Sequence, residues 1–372
     1  MAKITYYDFS NIDHASFFAE GFLHLQGRGE LQFQVSKSIP AELIGLELPT
    51  WITYRKPAST TVYRYEDESS NFLFCVDSND HNGLDPDLPD VYPGYHLPLI
   101  ERVKYYFKIN YNEEAIAATP AVTPFVDKIA PLPLQYPLRI SKSRPFLPSL
   151  TRMSGQRWPL GPTKRRLKHM RMMLPLSEYR RLRQLPRDLD VFFVTTIYNS
   201  PDHEESNAWR LELLQAISAY SHLNTLIGVV NLKDDLPPEF AKFQLRPMPF
   251  NTYITQLARS KVGLYIRGTY GCVSWKFGQY FALGKPIVGE SLLNNRQNMY
   301  AYDDFSEQFN YGEPKEIADR IAELVADPVK LQQLGETNTA TFENHFTPVA
   351  VVRQILKHME QQQLLDREHA VV

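Results

Sequence analysis

Cysteine is scarce in this sequence: Cys75 and Cys272 are the only two, and they lie far apart. Two distant thiols cannot build a disulfide framework or a cysteine-based zinc site, and free thiols are typical of a reducing compartment. Uninterrupted apolar runs of about eighteen residues, as a membrane-spanning helix needs, are also missing. The first residues lack the charged and apolar regions of a secretory signal. We therefore expect a cytoplasmic protein that is at most peripheral to a membrane.

A strong net charge is absent as well, since 40 Lys and Arg nearly balance 42 Asp and Glu. This balance gives no general reason to expect a polyanionic partner, although it can hide a local asymmetry. Apolar residues make up 43% of the chain and charged residues 22%, which are ordinary globular values and argue against a largely disordered chain or a coiled coil. A length of 372 residues favours two domains.

The first half of the chain has an α/β pattern that is less regular than a minimal Rossmann unit. After the first predicted strand comes a loop containing Asp13 and His14, and then a helix over residues 15–25. From about residue 115 to residue 186 the pattern becomes proline-rich and then basic, which is typical of a linker or an embellishment. The predicted strands of this half are residues 4–9, 30–36, 71–77 and 104–110.

The second half alternates strands and helices more sharply. Repeated βαβ units of this kind predict a parallel sheet with helices on both faces. The last helical pattern, residues 348–365, is long enough to leave its own domain. The predicted strands are residues 190–198, 223–230, 259–267 and 286–289, and the predicted helices before the last begin near residues 204, 253, 274 and 314.

Residues 250–290 resemble the donor-binding core of GT-B glycosyltransferases, particularly the large retaining family that includes sucrose and glycan synthases. The helix pattern YITQLARSK precedes a strand, and the segment from Gly268 to Val288 is similar to the family's glycine-containing loop, helix and closing A-x-G-x-P-V/I-V motif. The later ADP, LG and HF motifs also follow the family's order.

This resemblance implies an α/β protein of the GT-B type, in which two Rossmann-like domains face each other across a cleft. Residues 1–185 would form the N-terminal acceptor domain with the proline-rich and basic region, and residues 186–347 the nucleotide-sugar donor domain. Residues 348–372 would form a C-terminal helix that crosses back to the N-terminal domain.

The donor site is predicted just past the strand that ends at Arg267. Gly268, Gly271 and Ser274 would place backbone amides and a helix N-terminus at the C-terminal edge of a parallel sheet, where a diphosphate is stabilised. Arg267 and Lys276 would add positive charge. Such a site stabilises the charge of a departing nucleoside diphosphate, so neither a metal nor another cofactor is expected.

The sequence departs from the family at two places. Positions that match the two carboxylates of the retaining family hold Gly271 and Gln279, and the usual Arg and Lys pair is missing from residues 198–202. Retention or inversion is therefore not assigned. Glu290, directly after the closing strand, is either a contact to a donor hydroxyl or a solvated loop carboxylate.

Histidines after two strands of the first half are the candidate catalytic residues. His14, with Asp13 beside it, follows the first strand, where many inverting GT-B enzymes hold a histidine oriented by a carboxylate. His81 follows the strand at residues 71–77. The alternatives are an exposed or capping histidine, and an Asp13 that only caps the following helix. Lys108 and Asn110 are weaker candidates for the same cleft.

The tract from Arg157 to Arg187 holds ten Lys and Arg and one acid, Glu178. It is a solvated surface or linker, or it contacts an anionic membrane or a lipid-phosphate-linked acceptor. A nucleic acid partner is least favoured, because no reading motif accompanies the charge.

These features predict a glycosyltransferase that moves a sugar from a nucleotide-sugar donor to a hydroxyl of a glycan, lipid-linked or small-molecule acceptor. Two alternatives stay open: a sugar-nucleotide epimerase of the same fold, and a non-catalytic protein that binds nucleotide sugars or glycans.

Overall fold

The computed structural model describes residues 1–8, 10, 12–45, 59–80, 94–141, 167–197, 203–230, 236–268, 271–300 and 305–369. These residues form two α/β units, each built around one sheet. The strands are β1 (Lys3–Tyr7), β2 (Gln32–Ser36), β3 (Thr60–Glu66), β4 (Asn71–Asp77), β5 (Tyr105–Lys108), β6 (Ile129–Pro131), β7 (Leu189–Thr195), β8 (Thr225–Val229), β9 (Ser260–Tyr265) and β10 (Ile287–Gly289).

Helices cover the sheets, and a further helical turn spans residues 167–172. The helices are α1 (Ile12–Gly27), α2 (Leu97–Arg102), α3 (Glu113–Ala117), α4 (Leu176–Leu182), α5 (Glu204–Ser218), α6 (Phe250–Arg259), α7 (Trp275–Ala282), α8 (Arg296–Tyr300), α9 (Pro314–Ala326), α10 (Pro328–Thr341) and α11 (Pro348–His369).

The first sheet has six strands in the order β2-β1-β3-β4-β5-β6. Strand β3 runs antiparallel to both of its neighbours, and the other pairs are parallel. Because β3 is antiparallel to both β1 and β4, those two strands run in the same direction, and β5 is parallel to β4. The C-terminal ends of β1, β4 and β5 therefore lie at the same edge of the sheet. Apolar side chains on both faces, such as Ile4 and Val62, are fully buried.

The second sheet has four parallel strands in the order β10-β9-β7-β8. Successive residues of β7 alternate between its faces, so Phe192 packs into one hydrophobic cluster while Val191 and Phe193 pack into another. Because the strands are parallel, the C-terminal ends of β7, β9 and β10 lie at one edge of the sheet. Doubly wound sheets bind their ligands at this edge.

The C-terminal helix α11 returns to the first unit and packs along α1. Its side chains Val351, Val352 and Ile355 are fully buried, and each contributes roughly 1.5–3 kcal/mol to stability. The two helices approach so closely that a Cβ at Gly21 would lie 2.3 Å from the carbonyl oxygen of Pro348. Two α/β units with a returning C-terminal helix confirm the GT-B fold class predicted from the sequence.

A shared hydrophobic cluster joins the units around Tyr136. Its ring packs 5.5 Å from that of Phe17 in α1 and 5.3 Å from that of Tyr179 in α4, measured between centroids. On its other side, a Cβ at Gly278 in α7 would lie 2.7 Å from the Tyr136 ring. The region after residue 131 thus packs on both units, and the boundary near residue 185 stays a prediction.

Two expectations about the first half are wrong in detail. Helix α1 includes Ile12, so Asp13 and His14 lie in its first turn rather than in a loop before a helix starting at Ala15. Strand β3, with the sequence TTVYRYE, was not predicted, because Arg64 and Glu66 interrupt its apolar pattern. That strand makes the first sheet mixed rather than a simple series of βαβ units.

Candidate functional site

The C-terminal edges of the two sheets face each other, and direct contacts join them. The predicted donor turn is therefore at the junction of the units and points towards the first sheet. The backbone N–H of Val273 donates to Asn110 Oδ1 (2.9 Å), that of Asn295 donates to the Tyr111 carbonyl (2.6 Å), and the rings of His14 and Trp275 lie 5.2 Å apart.

The glycine turn after β9 is tight. The Gly268 N–H donates to the Cys272 carbonyl at 2.9 Å, and the Gly271 N–H donates to the Gly268 carbonyl at 3.1 Å. A Cβ at Gly268 would lie 2.3 Å from Cys272 Sγ, and Gly271 has a φ of +69°, which disfavours other residues. Both amides thus donate inside the turn in this conformation, and their predicted contact with a diphosphate stays a prediction.

Lys276 lies in the first turn of α7, behind the cap that Ser274 forms. The Ser274 hydroxyl accepts from the Lys276 N–H at 3.3 Å. The Lys276 ammonium donates to the Val194 carbonyl at 2.8 Å, at the end of β7. Burial, and then the charge of Arg210, lowers the pKa of Lys276 to about 8. The amine is thus buried at the sheet edge, where it donates to a carbonyl and feels the charge of Arg210.

Hydrogen bonds of Arg267 and Glu290 connect the ends of β9 and β10. The Arg267 N–H donates to Glu290 Oε2 at 2.7 Å, and its guanidinium donates to the Ser291 carbonyl at 2.8 Å and to the Ser291 hydroxyl at 2.6 Å. Burial raises the pKa of Glu290, although the Arg267 N–H and nearby positive charge oppose that effect. Both side chains therefore have structural partners, and their contacts to a donor stay predictions.

Arg210 is a buried cation that affects the residues of this edge and that the sequence reasoning missed. It lies on α5, is 5% exposed, and donates to Ser206 Oγ (3.2 Å) and Asn207 Oδ1 (3.1 Å). Its charge acts on both Lys276 and Glu290. The sequence did contain an indication of this. Arg210 precedes Leu213, Leu214 and Ile217 at helical spacing, so it is a cation on the apolar face of α5, where charged residues are rarely buried without a partner.

On the facing edge, a buried ion pair organises the ends of β4 and β5. Lys108 Nζ lies 3.1 Å from Asp77 Oδ2, with the two side chains 0% and 2% exposed. Lys108 and Asn110 also both donate to the Asn79 carbonyl, at 3.1 Å and 3.2 Å. Asn110 thereby connects this turn to Val273 of the second unit, as described above. His81 lies outside the described residues.

Asp13 is bound to His169, a residue of the basic tract that the sequence reasoning did not single out. Nδ1 of His169 lies 2.6 Å from Asp13 Oδ1, and Nε2 lies 2.8 Å from the Leu138 carbonyl oxygen. His169 is 3% exposed. The pair therefore anchors the tract to the first turn of α1, beside His14, whose ring contacts Trp275 across the junction.

Much of the described basic tract is paired with carboxylates. Arg180 and Arg183 share Glu343, and Arg181 pairs with Glu178. Residues 157–166 lie outside the described part of the chain. No helix within the described ranges is long and apolar enough to cross a membrane.

No protein-family model matches the chain, and no curated protein sequence is significantly similar to it. Among solved structures, Anabaena HepE in complex with UDP-glucose aligns at 12% identity over 97% of this chain and 100% of that one, with a TM-score of 0.43. In the complex of HepE with UDP the aligned part is 71% of this chain and 65% of that chain, at 13% identity and a TM-score of 0.38.

Two other solved structures align at similar levels. A mutant of S. aureus TarM in complex with Fondaparinux, alpha-GlcNAc-glycerol and UDP aligns at 9% identity over 96% of this chain and 99% of that one, with a TM-score of 0.39. UDP-GlcNAc 2-epimerase from Neisseria meningitidis aligns at 13% identity over 92% and 97%, with a TM-score of 0.37. Likenesses of this size carry no argument about function, which rests on the residues of this chain.

Proposed function

We propose that this protein is a glycosyltransferase that uses a nucleotide-sugar donor and binds the donor diphosphate at the edge formed by β7, β9 and β10. The observation that carries the proposal is Lys276, a poorly hydrated amine at this edge that donates to a carbonyl and whose pKa burial lowers, with a smaller effect of the Arg210 charge. Holding a charged amine in a poorly hydrated site costs free energy, and a bound anion offsets that cost.

The positive charges at this edge suit a diphosphate. Arg267 and Lys276 stand at the two sides of the glycine turn, and Ser274 begins the helix whose N-terminus adds a positive partial charge. As the glycosidic bond breaks, negative charge builds on the diphosphate, and cations held in place stabilise that charge without reorganising. Because side-chain cations can take the place of a metal ion at the diphosphate, we propose a metal-independent transfer of a hexosyl unit.

The acceptor hydroxyl would enter from the first unit, next to His14. The imidazole stands opposite Trp275, one residue before Lys276, so it lies on the facing side of the same junction. A histidine at this place is suited to take the proton from an attacking hydroxyl. The bond between Asp13 and His169 holds the first turn of α1 in place, and it thereby acts on the position of His14.

Calorimetric titration with a panel of nucleotide sugars tests donor binding. We expect at least one donor to bind, and Lys276→Ala to weaken it by about 10- to 100-fold, since a hydrogen bond to a charged group contributes about 1.5–3 kcal/mol. Lys3→Ala is the matched control, because Lys3 lies at the start of β1 in the first unit and pairs with Glu66 at 2.9 Å. Absence of binding across the panel would contradict the proposal.

Product analysis separates transfer from the two other functions. A transferase releases nucleoside diphosphate when an acceptor is added, whereas an epimerase changes the sugar nucleotide alone. His14→Ala should lower the rate of transfer while leaving donor affinity within about threefold, because the histidine is proposed to act on the acceptor. Donor binding without turnover over a broad set of glycan, lipid-linked and small-molecule acceptors would instead indicate a binding protein.

A further inference from the structure

A second cluster of cations surrounds a cavity of about 850 Å³ at the opposite edge of the second sheet. The cavity lies between the segment that follows α4, the start of β9 and helix α10. Lys261, at the start of β9, lines it, whereas the proposed donor site is at the end of the same strand. The cationic lining residues are Arg180, Arg183, Arg187 and Lys261, and the one carboxylate among the lining residues is Glu336.

The guanidinium groups of this cavity outnumber the carboxylates that they contact. Arg180 donates to both oxygens of Glu343, at 3.1 Å and 2.6 Å, and Arg183 donates to the same carboxylate at 2.8 Å. Arg183 also donates to the Ala282 carbonyl at 2.7 Å, while its Nη2 is buried and has no hydrogen-bond partner among the residues that the structure describes. Two guanidinium groups therefore share one acid, and one buried donor is left over.

Arg187 extends the excess of positive charge. Its described contact is a donation from Nη2 to the Gly284 carbonyl at 3.1 Å, and burial lowers its pKa. The neighbouring Lys285 is 1% exposed and donates to the carbonyls of Ala258 and Ser260. Burial, and then the charge of Arg187, lowers the pKa of Lys285 well below its usual value. Both cations meet carbonyl groups in these contacts rather than carboxylates.

The remaining charges do not cancel this excess. Lys261 pairs with Asp190 at 2.7 Å, so that pair is neutral. Glu336 is exposed and accepts from Gln332 of its own helix at 2.8 Å. Gly335 is next to Arg187: a Cβ there would lie 3.4 Å from Nη1. The absence of a side chain at residue 335 leaves that face of the guanidinium open to the cavity.

We propose that this cavity binds an oxyanion of the phosphate class, held by the guanidinium group of Arg187, with the positive charges of Arg180, Arg183 and Lys261 around it. The planar fork of a guanidinium donates two parallel hydrogen bonds to phosphate oxygens, and among the cationic lining residues Arg187 has no carboxylate among its described contacts. The site lies where the chain passes from α4 into β7, so a bound anion would also stabilise this connection between the units.

Thermal unfolding with inorganic phosphate, compared with sodium chloride of equal ionic strength, tests this site. All variants carry Lys276→Ala, which weakens phosphate binding at the proposed donor edge. We expect phosphate to raise Tm beyond the chloride control, because a ligand that binds only the folded state stabilises it. Arg187→Gln should weaken phosphate binding by at least about tenfold, and Lys261→Gln by less.

Arg181→Gln is the matched control, because Arg181 lies on α4 but pairs with Glu178 outside the cavity. It should keep the full phosphate effect. If Arg187→Gln fails to fold, Arg187→Lys keeps the charge without the fork and should still lose most of the affinity.

A Tm rise equal to that in chloride, or one that survives every Arg187 variant, would overturn the proposal. Vesicles containing phosphatidylglycerol form a second arm at equal phosphate concentration. Binding to inorganic phosphate alone indicates a free ion, whereas much tighter binding to vesicles that Arg187→Gln abolishes indicates a lipid headgroup.

Discussion

Replacing Lys276 by methionine should stabilise the protein while it weakens donor binding by about 10- to 100-fold. Methionine keeps an unbranched stem that packs in the same space without the charge. Burial lowers the pKa of Lys276 from 10.5 to about 8, with a smaller contribution from Arg210. Since one pKa unit is ~1.4 kcal/mol, the charged amine costs the folded state about 3 kcal/mol. Losing the hydrogen bond to the Val194 carbonyl lowers the stability of the variant by about 1 kcal/mol. At neutral pH the variant should therefore be more stable by about 2 kcal/mol.

The sign of the pH dependence follows from the lowered pKa of Lys276. In the unfolded chain the amine keeps its proton up to about pH 10.5, whereas in the folded protein it releases the proton above about pH 8. The unfolded state binds more protons between these values, so the stability of the wild type rises with pH across that window. The penalty is fully present below about pH 8 and disappears as the pH approaches 10.5. The advantage of the methionine variant should shrink accordingly.

Urea unfolding at pH 7 and at pH 10 measures the free energy of unfolding of both proteins. Lys261→Met is the control, because its ammonium pairs with Asp190 at 2.7 Å and its loss should cost up to about 1 kcal/mol at either pH. A Lys276→Met protein that is less stable than the wild type at pH 7, or whose advantage is the same at both pH values, would refute this reasoning.

Three further predictions concern the contacts around the junction. His169→Ala should lower the free energy of unfolding by about 2–4 kcal/mol, because it removes two buried hydrogen bonds, one of them to a carboxylate. Urea unfolding measures this change. His24→Ala is the control, because His24 is exposed and its loss should change the free energy of unfolding by less than about 1 kcal/mol. Gly268→Ala should cost about 1–3 kcal/mol and weaken donor binding in calorimetry, since the new methyl group would lie 2.3 Å from Cys272 Sγ; unchanged affinity would show that the turn is not part of the site. Asn110→Ala removes a bond between the units and should raise the rate of proteolysis at their junction, whereas an unchanged rate would mean that the bond does not hold them together.

The second unit could be predicted from the sequence in most of its elements. Its strands are short apolar runs separated by amphipathic helices, and each local pattern agrees with the parallel sheet that forms. Pro314, at the first position of α9, marked that helix start correctly. The placement of the glycine turn at an edge that faces the first unit also followed, because parallel strands end together.

What the sequence could not supply was the pairing of distant residues. His169 stands among many cations, and no local pattern reveals that it binds Asp13 from 156 positions away. Arg210 carried a signal, a cation on an apolar helix face, but that signal does not say which strand ends it faces. Strand β3 was missed because it is antiparallel, and its charged residues Arg64 and Glu66 hide a half-buried strand.

A crystal structure of the protein with a bound nucleotide sugar would show whether the donor diphosphate lies at the edge of β7, β9 and β10. We expect a diphosphate oxygen within about 3 Å of the Lys276 amine, with the sugar at the junction of the two units on the side of His14. A nucleotide bound at any other place, with the Lys276 amine still on the Val194 carbonyl, would contradict this expectation.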